Sequence, residues 1–70
     1  MDGLTTGRIV HYSDEAGEHQ AAVVSHVHNK ELGVVNLHIF PSSSQSYPWT
    51  SVVYDEDTTK PYRWHWTEKA

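Results

Sequence analysis

Cysteine is absent from this 70-residue chain, which excludes a disulfide framework or a thiolate zinc site as a substitute for a large core. Hydrophobic residues make up only 37% of the chain, against roughly 45–50% apolar residues in ordinary soluble domains. A chain this short forms one domain at most, and its ordering entropy nearly cancels the gain from burial. We therefore expect a single small domain over residues 1–70 that associates into a homo-oligomer.

Long apolar runs and an excess of positive charge are also lacking. No segment approaches the roughly 20 apolar residues of a membrane span, and residues 1–10 carry no signal-peptide pattern, so we expect a cytosolic protein without a membrane partner. Nine acidic residues against five basic ones give a formal net charge of −4. This balance argues against general binding to duplex nucleic acid, and it is too weak to indicate a DNA mimic.

What the chain does contain is a series of short segments rich in β-branched and aromatic residues. Their alternation predicts five strands, at residues 7–12, 19–28, 34–40, 49–54 and 62–66. In the third, Val35, Leu37 and Ile39 share one side and are expected to face inward. Two prolines and four serines predict a flexible loop at 41–48. The sequence therefore predicts an all-β antiparallel meander that closes into a small barrel of SH3 or OB type, with an open twisted sheet as the alternative.

Two segments are distinctive in their order of residues, Gly-Arg-Ile-Val-His-Tyr at 7–12 and Trp-His-Trp at 64–66. Together with the segments at 21–24, 35–37, 49–52 and 54–56, they make the chain resemble a family of small proteins encoded by bacteriophages and prophages. The resemblance implies a small all-β phage accessory protein in the cytoplasm of the bacterial host. It implies no reaction and no functional residues.

Six histidines raise the question of a metal site. His26 and His28 are two positions apart and share one side of a strand, and His38 lies across the predicted hairpin, so these three are candidate metal ligands. Solvent-exposed histidines on an outer sheet face explain the same pattern and are the favoured interpretation, and no cofactor is expected. Because the chain lacks a cysteine nucleophile, a nucleophile elbow and a phosphate loop, we expect a protein that is not an enzyme.

Aromatic residues concentrate in the last 24 residues of the chain, which contain Tyr47, Trp49, Tyr54, Tyr62, Trp64 and Trp66. Trp64 and Trp66 share one side of the fifth strand and are expected to fill the core or a subunit interface. Tyr47, Trp49 and Tyr54 are candidates for ligand binding, because aromatic faces stack on nucleobases and nearby cations meet phosphates.

Eight residues form the predicted ligand site: Tyr47, Trp49 and Tyr54 as stacking rings, Arg8, Lys60 and Arg63 as phosphate-binding cations, and Asn36 and His65 for polar recognition. The leading hypothesis is a non-enzymatic phage accessory module that sequesters a nucleotide-like immune signal of the host at a subunit interface. A protein-binding inhibitor of a host enzyme or defence effector is the first alternative, and a histidine-rich metal-binding protein is the second. The step from size and origin to counter-defence is an argument by analogy.

Overall fold

The computed structural model of this protein describes residues 1–67. It contains five strands, β1 (Ile9–Ser13), β2 (His19–Asn29), β3 (Val34–Phe40), β4 (Tyr47–Tyr54) and β5 (Arg63–His65). They close into a barrel in the order of the sequence, with β5 beside β1. The predicted all-β fold of five strands closing into a small barrel is confirmed. The predicted domain extends over 68–70, which lie outside the described residues. Between residues 1 and 67, no helix is long and apolar enough to cross a membrane.

One strand pair departs from the predicted antiparallel meander, because β5 runs parallel to β4 and antiparallel to β1. The segment 55–62 between β4 and β5 redirects the chain, and the carboxylate of Asp55 organises it. Asp55 accepts backbone N–H bonds from Asp57, Thr59 and Lys60 at 3.1, 3.0 and 2.8 Å. Tyr62 then donates its backbone N–H to the carbonyl of Ser13 at 2.8 Å, which directs the chain into the β1–β5 ladder.

The loop predicted at 41–48 is shorter than expected, because Tyr47 and Pro48 already belong to β4. Tyr47 pairs with Ile39 and Pro48 pairs with His38 in the β3–β4 ladder. Proline is tolerated here because, within the described residues, β4 pairs with β5 only at Val53 and Tyr54, so Pro48 lies where one edge of β4 is unpaired. The prediction was wrong at these two positions, since the serine-rich composition described only residues 41–46.

The barrel interior is formed by ten buried hydrophobic residues, Leu4, Val10, Tyr12, Ala22, Val24, Val35, Leu37, Ile39, Val52 and Trp64. The three predicted inward residues of β3 are all fully buried, which confirms the alternation. Trp64 is fully buried as well, and its indole Nε1–H donates to the carbonyl of Gly33 at 2.6 Å. Trp66 is half-buried and meets the Trp64 ring edge-on at 5.1 Å between centroids. The expectation of a core tryptophan in β5 is confirmed for Trp64.

Candidate functional site

A cleft of about 380 Å³ lies at the end of the barrel where β1 ends and β4 begins. Aromatic and carboxylate side chains dominate its lining, which consists of Tyr12, Asp14, Glu15, Ala16, Tyr47, Trp49 and Tyr62. This volume falls at the lower end of the roughly 300–1,000 Å³ range of small-ligand sites. The cleft is therefore large enough for a side chain or a small molecule.

Three rings form the walls of the cleft, two of them nearly parallel and the third nearly perpendicular to Trp49. Trp49 and Tyr62 lie almost parallel, with 6.2 Å between centroids and 13° between planes. Tyr47 meets Trp49 at 80°, also at 6.2 Å. Trp49 and Tyr62 are 43% and 45% exposed, so these rings offer their surfaces to a ligand instead of filling the core. Because the face of an aromatic ring is electronegative, such walls attract a cation.

Tyr12 forms the floor of the cleft from the inner side of β1. Its side chain is only 1% exposed. Burial, reinforced by the nearby Tyr47, Tyr62 and Asp14, raises the pKa of Tyr12 to about 12. The phenol therefore stays protonated well above neutral pH, so Tyr12 contributes no negative charge to the cleft.

Asp14 supplies a fixed negative charge at the rim. Its Oδ2 accepts a bond from Gln20 Nε2 at 2.9 Å, and its Oδ1 accepts backbone N–H bonds from Ala16 at 3.0 Å and Glu18 at 2.9 Å. The Gln20 bond, with the backbone bonds, lowers the pKa of Asp14 below its ordinary value. The carboxylate is therefore ionised at neutral pH, and the turn around it is held in place.

Glu15 supplies the second carboxylate and accepts a hydrogen bond from the phenol of Tyr62. Partial burial, together with the charge and hydrogen bond of Glu15, raises the pKa of Tyr62. Within residues 1–67, neither lysine nor arginine lines the cleft. The cleft is accordingly anionic as well as aromatic.

The backbone of Tyr62 is strained at the position that presents its ring. Its φ is 60°, in the left-handed region that non-glycine residues rarely adopt. Such a conformation costs about 1–3 kcal/mol and persists only where surrounding structure fixes it. Here the hydrogen bond from the Tyr62 N–H to Ser13 holds the segment, and the ring stands parallel to Trp49.

The structure places two of the eight predicted ligand residues in this cleft, Tyr47 and Trp49. Arg8 is exposed elsewhere, with its guanidinium carbon 5.4 Å from the centroid of the Trp66 ring. Tyr54 packs against the core tryptophan Trp64, with 4.9 Å between centroids. The other two predicted cations, Lys60 and Arg63, do not line the cleft either, so the structure does not gather the three cations around the rings.

Asn36 has a structural position in the β3–β4 ladder. Its Oδ1 accepts the backbone N–H of Ser51 at 3.0 Å and lies 2.8 Å from Nε2 of His28. Ser51 has a φ of 55° and lies where the register between β3 and β4 shifts, so two residues of β4 oppose one of β3. Asn36 therefore supports a β-bulge instead of facing the cleft.

The predicted metal candidates do not come together. His26 and His28 have ring centroids 4.6 Å apart, but His38 is hydrogen-bonded through Nε2 to Ser46 Oγ at 3.0 Å. His65, predicted as a polar ligand contact, is 1% exposed and lies beside two other histidines. Its ring centroid is 5.6 Å from that of His11 and 4.4 Å from that of His19.

Sequence reasoning missed five residues of the cleft, Tyr12, Asp14, Glu15, Ala16 and Tyr62. In the sequence, Tyr12 has the pattern of an ordinary strand residue. Asp14 and Glu15 have the pattern of an acidic turn, which is common without any functional role. The one available signal was the direct succession of a tyrosine-containing strand and an acidic turn. This signal indicates a cleft only in the closed barrel, where Tyr62 lies beside the end of β1 and donates its backbone N–H to Ser13.

Comparison with protein-family models, with curated proteins and with solved structures finds no match to this chain. The resemblance to phage proteins therefore stays a prediction.

Proposed function

We propose that this chain is a non-enzymatic binding module whose cleft takes a cationic group, such as a lysine or arginine side chain or a quaternary ammonium, from a partner protein. The observation that carries the proposal is the combination of three ring walls with two carboxylates, in a cleft to which residues 1–67 contribute no cation. Recognition of alkylated ammonium groups by aromatic cages is the established use of such an arrangement. The proposal assigns no reaction to the cleft.

The size of the electrostatic terms favours a cation over a phosphate. A unit charge about 5 Å from one carboxylate interacts by about 1 kcal/mol in water and by about 3 kcal/mol at an effective dielectric constant of 20. Each ring adds about 0.5–2 kcal/mol of attraction for a cation, depending on its desolvation. The same carboxylates, Asp14 and Glu15, repel a phosphate by the amounts with which they attract an ammonium.

The nucleotide ligand predicted from the sequence therefore has less support from this geometry than the protein-binding alternative. A nucleotide would need Arg8, Lys60 and Arg63 beside the rings, and these residues do not line the cleft. A basic side chain of a host enzyme or defence effector fits the charge of the cleft. Phage origin and action in the bacterial cytoplasm remain the hypothesis for the biological setting of such an inhibitor.

Self-association remains part of the proposal, through the outer face of β1, β2 and β3. Ile9 and Phe40 are 59% and 47% exposed there. The ladders pair Ile9 with Val23 and Phe40 with Ala21, which joins these residues into one apolar strip. Light scattering should give a mass above one chain that returns to one chain in Phe40→Ser. A wild-type monomer at high concentration would remove this part of the proposal.

Titration with small probes tests the cleft directly. In two-dimensional amide NMR, we expect tetramethylammonium or an arginine amide to shift the signals of residues 12–16 and 47–49, whereas adenosine monophosphate and inorganic phosphate leave them unchanged. Trp49→Ala should weaken binding about tenfold, equivalent to one cation–π contact of about 1.4 kcal/mol. Glu15→Gln should weaken it by removing one charge.

Leu32→Ala provides the control, because Leu32 is an exposed hydrophobic residue outside both the cleft and the apolar strip proposed for self-association. We expect this variant to bind the cationic probes as the wild type does. Tighter binding of adenosine monophosphate than of any cation, with loss in Trp49→Ala, would reject the proposal and favour the nucleotide ligand instead.

A further inference from the structure

Three histidines from three strands meet on the outer face of the barrel. His11 lies on β1 and pairs directly with His65 on β5. His19 lies at the start of β2, opposite Ser13 of β1. Because alternate residues of a strand share one side, and directly opposite residues share a side, all these side chains project from the same surface. This surface is on the other side of β1 from Tyr12 and the cleft.

We propose that His11, His19 and His65 form a binding site for a divalent transition-metal ion, with zinc as the ion that fits it. One ligand nitrogen from each of the three imidazoles lies within 4.8 Å of the others. Imidazole nitrogen suits zinc, copper and nickel, whereas calcium and magnesium require a shell of oxygen ligands.

The distances are close to those of a formed site. Zinc–nitrogen bonds of about 2.0–2.1 Å in a tetrahedron place two ligand nitrogens about 3.3 Å apart. The three nitrogens therefore need to approach by at most about 1.5 Å to reach this geometry. The backbone positions are already fixed by the β1–β2 and β1–β5 ladders.

Burial provides a second observation at the same place. Ser13 is 2% exposed, and within residues 1–67 its Oγ has no hydrogen-bond partner. A buried hydroxyl without a partner costs about 1–3 kcal/mol. Ser13 shares the outward side of β1 with His11 and stands opposite His19, so its hydroxyl is placed to bond a water or hydroxide held by the ion.

Three protein ligands leave one position of a tetrahedral zinc ion for an exchangeable group. Arg63 pairs with Ser13 and shares the outward side of β5 with His65. Its positive charge favours an anion, such as hydroxide or a partner's carboxylate, over a neutral molecule in that fourth position. The site is independent of the proposed function of the cleft.

Zinc titration of the chain without a histidine tag tests the proposal. Because the three ligands converge only in the folded barrel, zinc should raise the melting temperature, by about 10–20 °C at a free concentration about a hundredfold above Kd. Calorimetry should give one zinc ion per chain. The imidazole NMR signals of the three histidines should change together, and a chelator should reverse every effect.

Matched variants distinguish zinc binding at this site from adventitious zinc binding by the exposed pair His26 and His28. His19 is exposed, so His19→Gln should leave the fold intact while weakening zinc binding at least tenfold and reducing the rise in melting temperature to half or less at the same zinc concentration. His28→Gln should bind zinc as the wild type does. The proposal is overturned if zinc leaves the melting temperature of the wild type unchanged, or if His28→Gln loses the zinc effect while His19→Gln retains it.

Discussion

Gly33 is the position where the smallest addition to this chain should cost the most stability. Its φ is +73°, and a Cβ added there would lie 2.8 Å from the Cβ of Tyr54 and 2.9 Å from the Cε of Met1. The methionine end can move, but the Tyr54 Cβ is fixed to β4. A left-handed alanine costs about 1–2 kcal/mol and overpacking adds about 1–3 kcal/mol, so Gly33→Ala should lose about 2–5 kcal/mol. The carbonyl of Gly33 also accepts the indole bond of Trp64, which the displacement would disturb.

Gly17→Ala is the matched control, because Gly17 has a φ of +83° but open space around the added Cβ. This variant should lose only the conformational cost, about 1–2 kcal/mol or about 5–15 °C in melting temperature, and overpacking should make the loss in Gly33→Ala larger by about 1–3 kcal/mol or about 5–20 °C. For 70 residues the total stability is roughly 4–10 kcal/mol, so urea unfolding measures both changes well. Equal losses in the two variants would refute the argument from close approach.

Three other perturbations have definite expected outcomes. Asp55→Ala should lose about 2–3 kcal/mol in urea unfolding, because three backbone N–H bonds to its carboxylate disappear, and Asp55→Asn should recover part of that loss. Hydrogen bonds to the Asp55 carboxylate, of which that from the Lys60 N–H is the strongest, lower the pKa of Asp55. The stability that Asp55 contributes is therefore complete above the ordinary aspartate pKa and is lost as the pH falls through the lowered pKa. Asp55→Asn should make the free energy of unfolding less dependent on pH in this acidic range, the acid arm of the stability curve. Ser51→Gly should gain about 0.5–1 kcal/mol by relieving a φ of 55°. One of the four tyrosines should ionise near pH 12, because burial raises the pKa of Tyr12, and stability should fall as that phenol ionises.

Each outcome has a clear contrary result. An Asp55→Asn variant with an unchanged acid arm would show that other carboxylates control acid unfolding. Loss of stability in Ser51→Gly would show that the serine side chain contributes more than the strained backbone costs. Ionisation of all tyrosines near the ordinary value, followed by phenolate absorbance, would contradict the burial of Tyr12.

The strands of this protein were predictable because their signal is local. Hydrophobic and polar residues alternate in the middle of β3, and this alternation indicates which side of the strand faces the core. The structure buries all three hydrophobic residues on that side, Val35, Leu37 and Ile39. The parallel pairing of β4 and β5 was not predictable in the same way. It depends on hydrogen bonds of Asp55 within the connecting segment, and an acidic turn reads the same whether or not its carboxylate collects backbone donors.

The cleft and the three-histidine site were predictable only in part, because each forms only when the barrel closes and brings distant strands together. Tyr47 and Trp49 stood out as aromatic residues beside a loop, but Tyr12, Asp14 and Glu15 come from the other end of the chain. No periodicity indicates which distant strands become neighbours, and the pairing of His11 with His65 follows only from that choice. His26 and His28 drew attention because they are close in the sequence.

The three-residue strand β5 closes this barrel by pairing with β1 on one side and with β4 on the other. It is joined to β1 by three residue pairs and to β4 by two, against seven pairs between β2 and β3. Amide hydrogen exchange should therefore be fastest, among the barrel strands, along this join, since local opening begins where the fewest contacts must break. Opening of this join separates His65 on β5 from His11 on β1, and it separates Arg63 from Ser13. An ion bound across this join would therefore slow amide exchange there to the same extent as it stabilises the barrel against global unfolding.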